Sequence, residues 1–364
     1  MTRRPKLLVL ALRAASILAL AASFAWSGVA SAGPVRFDGE GHAYHPMWSV
    51  DGKYLAFEVN RYAGNIDLYI AAVTGDVAKD GVRVSLPGGS TPFGGSGQVV
   101  VNAAWHKDGY AVFEGSNQGG QFRIYYRSST GGSAAELIPT TDLPGDLTFP
   151  SVSMDGRAMV FVSDQSGAGD IRIRDTQTGK VTQLTQTATA EMFPMFSPDG
   201  TKVLFTRKHD GGEDVYEILN STHAETAVAG GTSDQTRPAY AADGRVVFFD
   251  GSRGQDRWDV VSFTKGTKTT LARDVRLPLR ARPALTPDGK WVAFAFNDPT
   301  QNGKIVLARV DGSKTVDVPT QFTACGEPSL TVQNGRTLLA FTALPNSGAD
   351  WRFLYVLDVT DKVQ

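Results

Sequence analysis

Seven Asp-Gly or Asn-Gly pairs punctuate this chain at nearly even intervals, and nothing else in the sequence restricts its fold as much. They are Asp51-Gly52, Asp108-Gly109, Asp155-Gly156, Asp199-Gly200, Asp243-Gly244, Asp288-Gly289 and Asn334-Gly335, spaced 57, 47, 44, 44, 45 and 46 residues apart. Such a pair between apolar runs signals a tight hairpin, because its turn needs backbone angles that glycine adopts without strain. Six of the pairs follow a proline by five or six residues: Pro46, Pro150, Pro194, Pro238, Pro283 and Pro328; Ala103 takes that place in the second copy. After each turn an alternating apolar strand ends in phenylalanine, from Leu55-Ala56-Phe57 to Ala340-Phe341. A polar, Gly-rich loop and a third strand follow, for example Ile66-Asp67-Leu68-Tyr69, and then a short fourth, for example Val181-Thr182-Gln183-Leu184-Thr185.

Four antiparallel strands repeated about every 45 residues describe one propeller blade per repeat. The expected fold is all-β: a seven-bladed β-propeller of four-stranded antiparallel blades over residues 33–364, with six blades as the alternative count. The seventh unit reaches Gln364 with only three strands, and Val35-Arg36-Phe37 precedes the first unit. Pairing that N-terminal strand with the last blade would close the ring and remove two open edges. The extra residues of the first unit fall in the Gly/Ser/Pro-rich segment Pro87–Gly97. Composition agrees: the 37 acids are 28 Asp and 9 Glu, a turn former in excess over a helix former.

Residues 1–32 read as a secretory signal peptide. Arg3, Arg4 and Lys6 precede an apolar stretch from about Leu7 to Trp26, and Ala30-Ser31-Ala32 offers a small-residue cleavage site before Gly33. Arg13 leaves an uninterrupted run of 13 residues, Ala14–Trp26, short of the roughly 20 that span a bilayer. Both general secretion and twin-arginine export remain open. Cleavage removes four basic residues and no acid from a chain of net charge −1, leaving −5, so the expected product is periplasmic or secreted and not membrane-embedded. That charge balance excludes a general nucleic-acid binder, and the single cysteine, Cys325, excludes a disulfide framework.

The stretch Phe193-Pro194-Met195-Phe196-Ser197-Pro198-Asp199-Gly200-Thr201-Lys202-Val203-Leu204-Phe205 resembles the WD-like repeat of TolB-type propellers. His45-Pro46-Met47-Trp48-Ser49-Val50-Asp51-Gly52 and Arg282-Pro283-Ala284-Leu285-Thr286-Pro287-Asp288-Gly289 are similar. The resemblance spans residues 33–364 and implies the propeller fold. It also implies a role among exported interaction proteins: the TolB-type propeller binds the peptidoglycan-associated lipoprotein in the envelope. The same repeat occurs beside peptidase domains and in polysaccharide lyases. Proteins of the TolB type carry an N-terminal α/β domain, and here about ten residues separate Gly33 from the first repeat.

No G-x-S-x-G, H-E-x-x-H, phosphate-binding loop or dinucleotide fingerprint occurs, so no catalytic residue and no resident cofactor or metal is expected. The five histidines are His42, His45, His106, His209 and His223, and ordinary polar positions suit them better than a metal centre. Calcium is conceivable near so many Asp residues, but no continuous ligand loop exists. Asp67, Asp170, Asp214 and Asp259 beside the third strands read as structural.

In a propeller the first strand of each blade lines the channel, which sets the residue before each motif proline at its mouth: His45, Asn102, Phe149, Phe193, Arg237, Arg282 and Glu327. Of these, His45, Asn102, Arg237, Arg282 and Glu327 form the expected ligand site, where paired guanidiniums would hold a carboxylate or phosphate. Alternatively, Arg282 simply pairs with Glu327. The loops joining second and third strands, such as Asn60-Arg61-Tyr62, Asn117-Gln118, Asp250-Gly251-Ser252-Arg253 and Asn297-Asp298, would form a recognition surface on that face, and the Asp-Gly face would be structural. Two functions stand: a monomeric envelope scaffold that binds a protein or peptide, or a small-ligand or saccharide propeller, including a lyase with His45 as base.

Overall fold

The computed structural model of the protein describes residues 33–61, 65–87, 98–116, 120–254, 257–296 and 303–364. Residues 1–32, expected to be a signal peptide, and residues 88–97 of the long insertion lie outside the described residues, as do Tyr62, Asn117, Gln118, Asn297 and Asp298. Among the described residues the strands form one nine-stranded, four four-stranded and one three-stranded sheet. The nine-stranded sheet is two antiparallel units, beginning at His42–Trp48 and Val99–Trp105, joined by a single parallel contact between Ile66 and Val99. The other sheets are sequential meanders; Glu191–Phe196, Lys202–His209, Gly212–Leu219 and Glu225–Ala229 make one of them. The last sheet, Thr323–Gln333, Arg336–Leu344 and Phe353–Asp358, has three strands, and Val35 bridges to its edge, its N–H donating to the Leu354 carbonyl at 2.8 Å.

The second strand of each unit departs from the alternation expected of it. The five inner residues of Tyr54–Asn60 and all of Trp291–Ala295 are buried, because each sheet packs on a neighbour through both faces. A strand covered on both sides reads as a continuous apolar run. The seven motif phenylalanines, from Phe57 to Phe341, are among the largest fully buried side chains. Each core cluster spans two neighbouring units, and one joins Leu338, Ala340 and Val356 of the last sheet to Leu55 and Phe57 of the first.

The turn aspartates are structural. Asp51 accepts the Ser49 hydroxyl at 2.7 Å and the Lys53 N–H at 3.1 Å, and the Ser49 oxygen in turn accepts the Tyr54 N–H. Asp155, Asp199 and Asp288 repeat that pattern with Ser153, Ser197 and Thr286. The third-strand aspartates are equally occupied: Asp67 by Arg61 and Arg83, each at 2.7 Å, and Asp259 by Arg253.

The first strands carry the feature that builds the site. In six units the pairing register slips between the strand's two halves. At each slip the residue before the motif proline position adopts a left-handed backbone: His45, Asn102, Phe149, Phe193, Arg237 and Glu327 all have φ between 45° and 54°. Asn102 does so with Ala103 behind it, so the bulge does not depend on proline. A bulge of this kind frees a backbone N–H and re-aims a side chain.

The sixth unit is different. Its first strand is reduced to Ala284–Leu285, and residues 276–283 leave the sheet to form a strap. The Leu279 N–H donates to Glu327 Oε1 at 2.9 Å and its carbonyl accepts Arg237 Nη2 at 3.0 Å. Arg280 and Arg282 reach farther, to Glu58 and to the Pro194 carbonyl.

Candidate functional site

First strands from all seven units enclose a cavity of about 600 Å³. Its wall runs from the bulges at His45 and Asn102, and from Arg282 of the strap, to the residues before the Asp-Gly turns, where Val50 and Met154 are 57% and 68% exposed. The bulge end is covered by the strap, with Ala281 8% exposed and Asn102 9%. Access is therefore from the Asp-Gly side. The mid-wall is largely apolar, with Met47, Trp48, Trp105, Phe196, Tyr240 and Leu285. Two of the tryptophans also stitch neighbouring strands: Trp105 Nε1 donates to the Met47 carbonyl and Trp48 Nε1 to the Ser329 carbonyl.

A polar cluster closes the inner end. Glu58, 2% exposed, accepts the freed Asn102 N–H at 2.9 Å, meets His45 Nδ1 at 3.0 Å and pairs with Arg280 at 3.2 Å. Burial alone would raise the Glu58 carboxyl, but His45, Arg280 and the Asn102 N–H outweigh it and hold it below the usual carboxylate range. Glu114, 3% exposed, accepts the Asn102 amide and the Phe149 N–H. Among the described residues no cation pairs with it, so burial prevails over its hydrogen bonds and the more distant Arg280 and lifts its carboxyl to about 8. The two acids thus differ in charge at neutral pH. Arg237 lies 5.4 Å from the Phe193 ring centroid, and Phe193 packs on Phe149 at 4.8 Å.

Comparison with known proteins fits this architecture. The PD40 family model, the TolB beta propeller domain, matches residues 136–334, more than half of the chain. The chain belongs to the TolB β-propeller family. No curated protein matches it. Among solved structures, TolB from Acinetobacter baumannii is 20% identical with a TM-score of 0.56, the match covering 77% of this chain and 67% of that one. An oligogalacturonate lyase in complex with manganese is 13% identical with a TM-score of 0.62, covering 89% and 91%. A Mycobacterium tuberculosis puromycin-hydrolyzing peptidase is 15% identical with a TM-score of 0.62, covering 88% of this chain and 51% of the peptidase, so the chain spans about half that protein's length. These likenesses are of fold.

Within this TolB-family propeller, the five residues named from the sequence divide into two groups. His45, Asn102 and Arg282 line the cavity. Arg237 and Glu327 instead hold the strap through Leu279. Arg282 does not pair with Glu327: its hydrogen bond goes to Pro194, and Glu327 Oε2 has no partner. The loops between second and third strands are tied down internally where they are described, Arg61 by Asp67 and Arg253 by Asp259 and Asp274. The cavity opens on the other face, which the sequence marks only as turns.

Glu58, Glu114 and Arg280 were not singled out by sequence reasoning. The signal was available: Glu follows the motif Phe only at Phe57-Glu58 and Phe113-Glu114, where other units have Val162, Thr206, Phe249, Ala295 and Thr342. His106 and His209 are engaged elsewhere, with Gly156 and Asp214. Among the described residues no group of three or more His, Cys, Asp or Glu side chains could hold a metal ion, and no helix is long and apolar enough to cross a membrane.

Proposed function

We propose that this protein is an exported binding scaffold of the cell envelope, whose channel receives a segment of a protein or peptide partner from the Asp-Gly face. The observation that carries this reading is the cavity of about 600 Å³ with exposed Val50 and Met154 at its rim. A concave, mostly apolar site with a few converging polar groups is the usual form of a binding pocket. Membership of the TolB propeller family supports a partner-binding role. The lyase alternative takes His45 as its base, and no observation favours it: His45 Nδ1 meets Glu58 at 3.0 Å, and every carboxylate oxygen of Glu58 and Glu114 is already hydrogen-bonded.

We read the architecture as seven blades closed into a monomeric ring, with Val35–Phe37 completing the last blade, and the protein as periplasmic or secreted after cleavage near Ala32-Gly33. The Val35–Leu354 bridge and the core shared by the last and first sheets support closure. A photo-cross-linking residue placed at Met154, and separately at Ser252 on the opposite face, tests the site in cells. A defined envelope partner captured from position 154 alone is the expected result. Capture only from position 252 would move the interface to the loops, and capture from neither would overturn the scaffold reading.

A further inference from the structure

The inner end of the cavity holds a cation that the protein does not neutralise. Arg282 Nη2 donates to the Pro194 carbonyl at 2.7 Å, its one hydrogen bond among the described residues, and Nε, shut off from solvent, has no partner. Among the described residues no carboxylate stands within ion-pair distance of this guanidinium, although Glu327 lines the same small recess. Arg282 is half-buried and lines the cavity. Burial pushes its guanidinium down to about 10, and no acid is near enough to oppose the shift.

Its surroundings deepen the imbalance. Arg280 is matched by Glu58, and Arg237 stacks on Phe193 with Nε and Nη1 unpartnered. Glu114, the other acid at this end, is largely protonated at neutral pH. A buried, unpaired charge costs several kcal/mol, so a fold that keeps one beside an accessible cavity has a use for it. A planar carboxylate needs one guanidinium edge, and the wall between Arg282 and the rim suits an apolar body attached to it.

We infer that Arg282 is the anchor for a carboxylate that enters the channel from the Asp-Gly face, its apolar body packed against Trp48, Trp105 and Tyr240. This rests on the channel being the binding site, as proposed above. The source of the carboxylate is a peptide chain end or acidic side chain, or a sugar acid, and the test separates them.

Isothermal titration of the purified protein with acetyl-Leu-Phe, its C-terminal amide and digalacturonate is the experiment, alongside Arg282→Gln and Arg282→Lys. The free-acid dipeptide should bind about ten- to a hundredfold tighter than the amide, the value of one charge-assisted pair. Arg282→Gln should erase that difference, and Arg282→Lys should keep part of it. Because Arg282→Gln removes an unpaired buried charge, it should melt at the same temperature as the parent or higher. A purely structural Arg282 would instead melt lower and leave binding unchanged, which overturns the inference. Binding of digalacturonate alone would keep the carboxylate anchor and transfer it to sugar acids. Absence of binding by all three probes at millimolar concentration overturns it. If cross-linking from position 154 survives Arg282→Gln undiminished, the scaffold stands and the carboxylate anchor falls.

Discussion

Arg280 and Glu58 stand 222 residues apart in sequence and meet across the channel, Nη1 to Oε2 at 3.2 Å. The pair latches the strap over the bulge end of the cavity, while Leu279 is clasped on the other side by Arg237 and Glu327. The latch, not the loops, decides which face of the channel is open.

Arg280→Ala should loosen that latch. Glu58 stays buried with His45 and the Asn102 N–H, and the partial exposure of Arg280 moderates the loss, so about 2 kcal/mol of stability is expected to go. Hydrogen exchange should speed up in residues 276–283 and at the Asn102 amide. The Glu58 carboxyl is held below its ordinary value, so its contribution is present above that value and is lost as pH falls through the folded one. Removing Arg280 should therefore move the acid unfolding midpoint upward, which a pH titration by circular dichroism would read.

Glu114 has the opposite sign. Its folded pKa of about 8 lies above the ordinary carboxylate value, so the native state keeps a proton that the unfolded chain releases. That contribution is fullest in mild acid and declines as pH rises toward 8, on the order of a few kcal/mol. Glu114→Gln removes the titration, and a half-turn of the Asn102 amide can restore the hydrogen bond. The variant should gain melting temperature over the parent at pH 8 and lose that advantage at pH 5. An equal shift at both values would show that Glu114 is ionised in the folded protein.

Gln333 joins the last sheet to the first. It immediately precedes Asn334 and is buried: its Nε2 donates to the Gly52 and Val73 carbonyls, each at 3.0 Å, and its Oε1 accepts the Gly75 N–H at 2.7 Å. Gln333→Ala leaves three backbone groups without this partner. A loss of about 2–3 kcal/mol in urea unfolding is expected, against about 0.5 kcal/mol or less for exposed Gln177→Ala.

The repeat was legible because each unit repeats the same physical demand. Each turn places Gly at a positive φ, an Asp at most of them caps the backbone, and a doubly covered strand needs Phe at its centre. Channel positions were legible by residue number, since a residue before the motif proline falls at the bulge in six units. The strap was not. Residues 276–283 end on the same motif proline and precede the same Asp-Gly turn as their counterparts, and it is their long-range contacts, to Glu58, Pro194, Arg237 and Glu327, that hold them off the sheet. The open face was missed for a related reason: polar loops suggest recognition, but here their charges are matched within their own sheets, and the rim is apolar.

Gly289 and Gly244 occupy equivalent turns and should respond unequally to the same change. Both have positive φ, +66° and +82°, so alanine pays the left-handed strain of about 1–2 kcal/mol at either site. At Gly244 a Cβ would meet nothing within 4 Å, whereas at Gly289 it would overlap the backbone of Ala241 and Ala242 in the preceding sheet. Backbone cannot swing aside as a side chain does, so the sheets must separate locally. Gly289→Ala should therefore cost at least about 2 kcal/mol more than Gly244→Ala. Since Ala242 and Pro287 both line the cavity, the same variant should weaken any ligand held in the channel, while Gly244→Ala should not. Equal losses of stability in the two variants would mean that the turns do not interlock between neighbouring sheets as described.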